Sequence, residues 1–192
     1  IVENPSPIPR LTFAELRELS HMGASVLHED TIFPVRVKNI LLNIRDTNNP
    51  DAPGTYIREI FDEDSVDEKE KFITGITGRR HYTIINLYKN SMDRVRMLRT
   101  ALDICARFEV PVEQIPCSID SFSFVIPSIS LENKKYKFVS AVEEACMPDN
   151  IEVTDGISLI AIIGRQMAYR TGISGKIFAA LGSKGINIRT IE

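Results

Sequence analysis

Hydrophobic positions along this chain follow two rhythms, and their alternation predicts the order of elements. Thr12-Phe13-Ala14-Glu15 has the form of a capping box, and Phe13, Leu16 and Leu19 after it share one helical face. Gly23 is a plausible stop, and a second short helix after Asp30 carries Ile32, Val35 and Val37. Ile40 to Ile44 reads as a strand. The Asn-, Pro- and Gly-rich cluster 48–54 reads as a turn before a short strand at Thr55-Tyr56-Ile57. Residues 82–88 form an apolar strand followed by a polar loop. Val95, Leu98, Leu102 and Cys105 then recur at helical spacing. Val110, Val112 and Ile115 suggest the next strand, and Phe122, Phe124 and Ile126 alternate with their neighbours as in a half-buried strand. Tyr136, Val139, Val142 and Cys146 mark another helix, ended by Pro148, and Ile151-Glu152-Val153 a fourth strand.

The strand–loop–helix–strand pattern then recurs. Residues 157–163 are almost continuously apolar, which predicts a central strand. A loop, a helix carrying Ile173, Ile177 and Leu181, a Gly185 stop and a strand over 186–189 follow. Met92 aligns with Met167 at an offset of 75 residues, and Val110 with Ile186 at 76. Such self-similarity signals two copies of one module. The order βαββαβ over copy one is that of a ferredoxin-like unit, so the expected class is α+β. Four regions are expected: a tail over 1–60, an acidic linker over 61–71, a first module over 72–155 and a second over 156–192. The second module is expected to be incomplete, its closing elements falling beyond Glu192.

Composition narrows the function classes. The chain has 192 residues, 43% of them hydrophobic and 26% charged, with a formal net charge of -3. That balance announces no polyanion-binding surface. An RNA-binding sheet, which Phe122 and Phe124 could serve, would also need a basic face and a Lys/Arg-Gly-aromatic motif, and neither is present. Cys105, Cys117 and Cys146 have no metal-like spacing and do not pair with His21, His28 or His81, so no metal site is expected. Reduced, mostly buried thiols fit a cytoplasmic setting. No apolar run approaches the ~20 residues that span a bilayer, so no membrane partner is expected.

Candidate chemistry lies in the loops. In each copy the first strand feeds a loop that opens a helix, where free N–H groups and the helix dipole favour a carboxylate. Glu113 and Asp120 offer carboxylates for an ammonium, which together would suit a free amino acid. The alternative is that Asp120 starts a turn and Glu113 is a solvated strand residue. No catalytic triad or Gly-rich phosphate loop can be assembled, so no catalytic residue is assigned.

Two stretches resemble the aspartate kinase family. Glu18 to His28, Thr31-Ile32-Phe33-Pro34 and Asp46 to Thr55 resemble the end of its amino-acid-kinase domain, an α/β fold. Ile157 to Ile191 resembles its ACT module, with a Gly-x-x-Met loop at Gly164 to Met167 and the closing Gly185-Ile186-Asn187-Ile188. The resemblance implies tandem ACT modules that bind an end-product amino acid, lysine or with it threonine, for feedback inhibition, and a homodimer built through them. It implies effector-binding residues at Asn90, Ser91, Met92, Glu113, Ser118, Ile119, Asp120 and Ser121. It further implies a second effector or dimer-contact loop at Gln166, Met167, Gly172, Ile173, Asn187 and Ile188. In this family one module can be threaded through the other, with 72–77 serving the second. ATP and Mg are implied only for the parent kinase, whose nucleotide and aspartate motifs do not occur in these residues.

Overall fold

The computed structural model describes residues 6–23, 27, 29–60, 73–90, 93–165, 167 and 171–191. In chain order the elements are β1 (Arg10–Thr12), α1 (Phe13–His21), α2 (Glu29–Val37), β2 (Leu42–Ile44) and β3 (Thr55–Arg58). Then come β4 (Gly75–Tyr88), α3 (Arg94–Arg107), β5 (Ser121–Pro127), a short 3-10 turn, α4 (Lys135–Cys146), β6 (Asn150–Ile163) and α5 (Ile173–Ser183). They form two compact units, one of residues 1–78 with 160–185, the other of 79–159 with 186–192. The acidic stretch expected as a linker lies outside the described residues.

The first unit is built on a three-stranded sheet ordered β1-β3-β2, with β1 parallel and β2 antiparallel to β3. The capping box is present: the Thr12 hydroxyl accepts from Glu15 N and the Glu15 carboxylate accepts from Thr12 N. This starts α1, whose Phe13, Leu16 and Leu19 pack with Leu11, Ile32, Ile57 and Ile163. The β2–β3 connection is held by Asn49 N donating to Asp46 O and Ala52 N to Asn49 O. Gly54 closes it at φ +71°, where an added Cβ would stand 2.2 Å from Ile44 O; only glycine fits there. The expected strand start at Ile40 and Leu41 moves to Leu42, because both earlier side chains point to solvent. In α5, Ile173 is buried and Ile177 and Leu181 are half-buried, the face that the spacing predicts.

The second unit is the ferredoxin-like one. Its sheet runs β5-β4-β6, with β4 and β5 antiparallel from Tyr82↔Pro127 to Tyr88↔Ser121. Residues 113–117 flank β5 through the antiparallel bridges Gln114↔Val125 and Cys117↔Phe122, which adds the fourth, edge position. Ile85, Leu87, Phe122, Phe124 and Ile126 meet Ala101, Ile104 and Cys105 of α3 and Phe138 and Val142 of α4 in one core. Phe108 and Phe138 meet edge to face with centroids 5.6 Å apart. Phe122 and Phe124 are fully buried, so neither is placed to stack on RNA bases.

Several expectations shift. The buried stripe of α3 is Met97, Ala101, Ile104 and Cys105, while Val95 is 77% exposed. Of the predicted stripe, Cys105 is in the core and Leu98 and Leu102 pack half-buried against it, so only Val95 leaves the expected face. In α4, Phe138 takes the core position expected of Tyr136, which is 89% exposed and keeps its hydroxyl in water. The strand predicted at 82–88 extends back to Gly75, and those at 151–153 and 157–163 merge into β6. Each long strand passes a left-handed residue, His81 at φ +66° and Gly156 at φ +74°. Period-two patterning slips at such a residue, which splits one strand into two in the sequence. β6 stands at the end of the sheet order rather than at its centre, and residues 186–189 form no strand.

Candidate effector-binding site

The end of β4 and the start of β5 hold most of the candidate residues together. Because Tyr88 pairs with Ser121, the loop leaving β4 lies beside the loop entering β5. Lys89 N donates to Asp120 O at 2.9 Å, and Arg94 Nη1 to Ser118 O at 2.9 Å. Ser118 N donates to Ser121 O at 2.8 Å, which folds 118–121 into a tight turn. Asn90 N donates to Asp149 Oδ2 at 2.8 Å, anchoring the first loop to the residues before β6. Asp93 caps α3 by accepting from Arg96 N, so that helix start already carries one carboxylate. Asp120 and the 85% exposed Ile119 project to solvent at this rim. Ser91 and Met92 lie outside the described residues.

Glu113 is placed apart. Its N donates to Val125 O, four residues along β5 from Ser121, or ~13 Å at strand rise. Its carboxylate stands 3.7 Å from Arg79 Nη1. Of the two predicted carboxylate residues, Asp120 is therefore the one beside the loop leaving β4, through the Lys89 N bond to its backbone oxygen. Of the second set, Met167 and Ile173 are partly or fully buried, and Gly172 begins α5 in the left-handed region at φ +84°. Gly172 and Ile173 belong to the first unit, Asn187 and Ile188 to the second, and Gln166 lies outside the described residues.

The sheet contributes polar groups that the loop motifs did not announce. Ile84, Asn86 and Tyr88 alternate with core-facing Ile85 and Leu87, so they stand on the face away from the helices. There a cavity of about 370 Å³ is bordered by Asn86, Ser121, Ser123, Glu152, Thr154 and Arg189. Ser123 Oγ donates to Asn86 Oδ1 at 2.7 Å, and Asn86 Nδ2 to the Tyr88 hydroxyl. The period-two polar positions of the strands were the available signal.

Burial and charge set the remaining chemistry. Thr83, almost fully buried, donates to Asp155 Oδ1 at 2.7 Å, and Lys135 Nζ donates to Asp155 Oδ2. The bond from Lys135, then that from Thr83, hold the Asp155 carboxyl below its ordinary range. Burial pushes the Cys105 thiol up to about 11 and raises that of Cys146, whereas Cys117 is exposed. Among the described residues no group of three or more His, Cys, Asp or Glu could hold a metal ion, and no helix is long and apolar enough to cross a membrane.

The second unit has the sheet-and-two-helix arrangement of a ferredoxin-like α+β module, and the family model described as "ACT domain" matches residues 160–192. Over its full length the chain is 30% identical to Aspartokinase 3 of Bacillus subtilis, covering 41% of that protein. It also superposes on the crystal structure of Clostridium acetobutylicum aspartate kinase with a TM-score of 0.90 and 40% identity, covering all of this chain and 44% of that one. E. coli aspartokinase III in complex with lysine and aspartate, described as a T-state, matches with a TM-score of 0.69 and 25% identity over 97% of this chain and 40% of its own. The chain is thus a homologue of the aspartokinases and corresponds to their C-terminal, regulatory part. It spans about two-fifths of the length of these three relatives.

Proposed function

We propose that this chain is the regulatory end of an aspartate kinase, an enzyme that makes 4-phospho-L-aspartate from ATP and L-aspartate, and that it binds an end-product amino acid. The observation that carries this reading is the superposition of the whole chain on the Clostridium acetobutylicum enzyme at 40% identity. Lysine is the first candidate effector, because the E. coli relative is described in complex with it; threonine is the second. Catalysis, with ATP and Mg, belongs to the part of the relatives that this chain does not cover. The proposed assembly is a homodimer through the ACT modules, and the proposed compartment is the cytoplasm.

In this reading the loop Asn90-Ser91-Met92 and the turn Ser118-Ile119-Asp120-Ser121 receive the effector. Backbone amides take its α-carboxylate and Asp120 its ammonium. Glu113 serves a longer effector side chain along the strand, in exchange for its pairing with Arg79. The loop at Gln166 and Met167, with Gly172 and Ile173, is the proposed second effector or dimer contact. A bound amino acid inhibits only by its difference in affinity between two states of the enzyme, typically ~1–3 kcal/mol of coupling.

The test is calorimetry with L-lysine and L-threonine on this chain and on the kinase proposed to contain it. Asp120→Ala removes one charge-assisted bond worth ~1.5–3 kcal/mol, so affinity should fall about tenfold to a hundredfold. Unchanged affinity would move the ammonium site elsewhere. Absence of heat with both amino acids, on both proteins, would remove the reading.

A further inference from the structure

Glu15 does more than cap a helix. Only 7% of the residue is exposed, yet its carboxylate accepts from three separate segments of the chain. Thr12 N donates to Oε2 at 2.7 Å, as the capping box requires. Thr74 Oγ1 donates to Oε1 at 2.7 Å, and Arg165 Nε lies 3.2 and 3.3 Å from the two oxygens. Arg165 Nη2 also donates to Arg10 O at 3.2 Å, in the strand that leads into α1. Thr74 N donates to Ile163 O at 2.8 Å, so the segment before β4 and the end of β6 are tied to each other as well as to α1. A capping box needs only the first of these bonds.

The arms differ in tightness. The Thr12 and Thr74 bonds are short, while the Arg165 contacts sit at the long end of the N–H···O range. A displacement of well under an ångström at Arg165 itself, beyond the Ile163 bond to Thr74 N, therefore makes or loses the Arg165 contacts, while the shorter Thr12 and Thr74 bonds hold. In a buried site such a change alters the charge balance on the carboxylate strongly, and that carboxylate holds the first turn of α1. Arg165 lies two residues beyond the last residue of β6 and directly before Gln166 and Met167.

We propose that the Glu15–Arg165 pair is a coupling element that conveys effector binding to α1, with Arg165 as its adjustable, positioning arm. The proposal rests on the reading that this chain binds an amino acid. The test is hydrogen–deuterium exchange of the α1 amides in this chain, with and without saturating L-lysine or L-threonine, beside calorimetry of the same samples. In the unsubstituted chain the effector should change exchange in the first turns of α1 severalfold. Arg165→Gln should keep effector affinity within twofold while that response falls to a quarter or less, and Arg165→Lys should retain part of it. Thr74→Val, which removes the tight arm, should raise α1 exchange without effector and preserve the response; if Arg165→Gln does not fold, this variant and Arg165→Lys carry the comparison. Bound effector with an unaltered α1 response in the Arg165 variants, or with no response in the unsubstituted chain, overturns the coupling. Absence of binding heat overturns the functional reading itself and is seen in calorimetry before any variant is compared.

Discussion

Glu15→Ala is the most informative stability change. Thr12→Ala removes only the hydroxyl that accepts from Glu15 N and the hydroxyl's own bond to the carboxylate, so the loss should be ~1 kcal/mol, the usual worth of an N-cap. Glu15→Ala removes the reciprocal half of the box and also takes the carboxylate away from Thr74 Oγ1 and from Arg165 Nε, whose guanidinium keeps its bond to Arg10 O. The charged bonds add ~2 kcal/mol, for ~3 kcal/mol in all. That figure lies at the low edge of the ~3–5 kcal/mol expected on breaking a buried pair. The Arg165 side chain is 29% exposed, so water can take over part of its solvation, which places the cost at that edge. With a urea slope of ~1.5 kcal/mol/M, the midpoint of the unit containing α1 should fall by ~2 M for Glu15→Ala and ~0.7 M for Thr12→Ala. Far-UV circular dichroism reports the transition, and amide exchange over residues 10–23 assigns it to that unit. If the two substitutions cost the same, Glu15 is a helix cap alone and the convergence of three segments on it contributes nothing.

Asp155 gives a pH-dependent prediction. Its carboxyl is held below the ordinary value by Lys135 and then Thr83. A depressed folded-state pKa contributes stability that is present above the unfolded value of ~3.9 and is lost as pH falls through the folded value. The side chain is 59% exposed, so Asp155→Asn should cost at most ~1 kcal/mol at pH 7 and nothing near pH 2, as read by urea midpoints; an equal cost at both pH values would contradict the assignment. Gly54→Ala should destabilise by more than ~1 kcal/mol, because it combines a positive φ with a 2.2 Å approach to Ile44 O; an unchanged melting temperature would show that the turn rearranges freely. Of the three thiols, Cys117 alone should react rapidly with a thiol reagent at pH 8, since burial shields Cys105 and Cys146 and raises their pKa values. Effector bound at the neighbouring 118–121 turn should slow that reaction, and an unaffected rate would place the effector elsewhere.

Local signals were legible wherever one residue type had one physical use. The Thr12–Glu15 box, the Phe122/Phe124/Ile126 alternation and the Gly54 turn all read directly from the sequence because each leaves a pattern of residue types within a few positions of chain. In α3 only Val95 falls outside the core while Leu98, Leu102 and Cys105 meet it: Val95 and Met97 are both apolar, and tertiary packing decides which is buried. β4 and β6 were divided because a left-handed residue breaks the period without ending the strand. At the candidate site, Asp120 and the 118–121 turn were marked by turn chemistry. The polar face built by Asn86, Ser123 and Glu152 was not, since its members are far apart in sequence and meet only through strand register. The meeting of Glu15, Thr74 and Arg165 escaped for the same reason: separations of 59 and 150 residues leave no local trace.

The central claim is that an amino acid bound by this chain controls an attached kinase. Titrating ATP-dependent formation of 4-phospho-L-aspartate with L-lysine and L-threonine, in the kinase proposed to contain these residues, tests it most directly. The account predicts that one of the two lowers the rate and that Asp120→Ala raises its half-inhibiting concentration about tenfold or more while uninhibited turnover stays within twofold. A rate indifferent to both amino acids would contradict it.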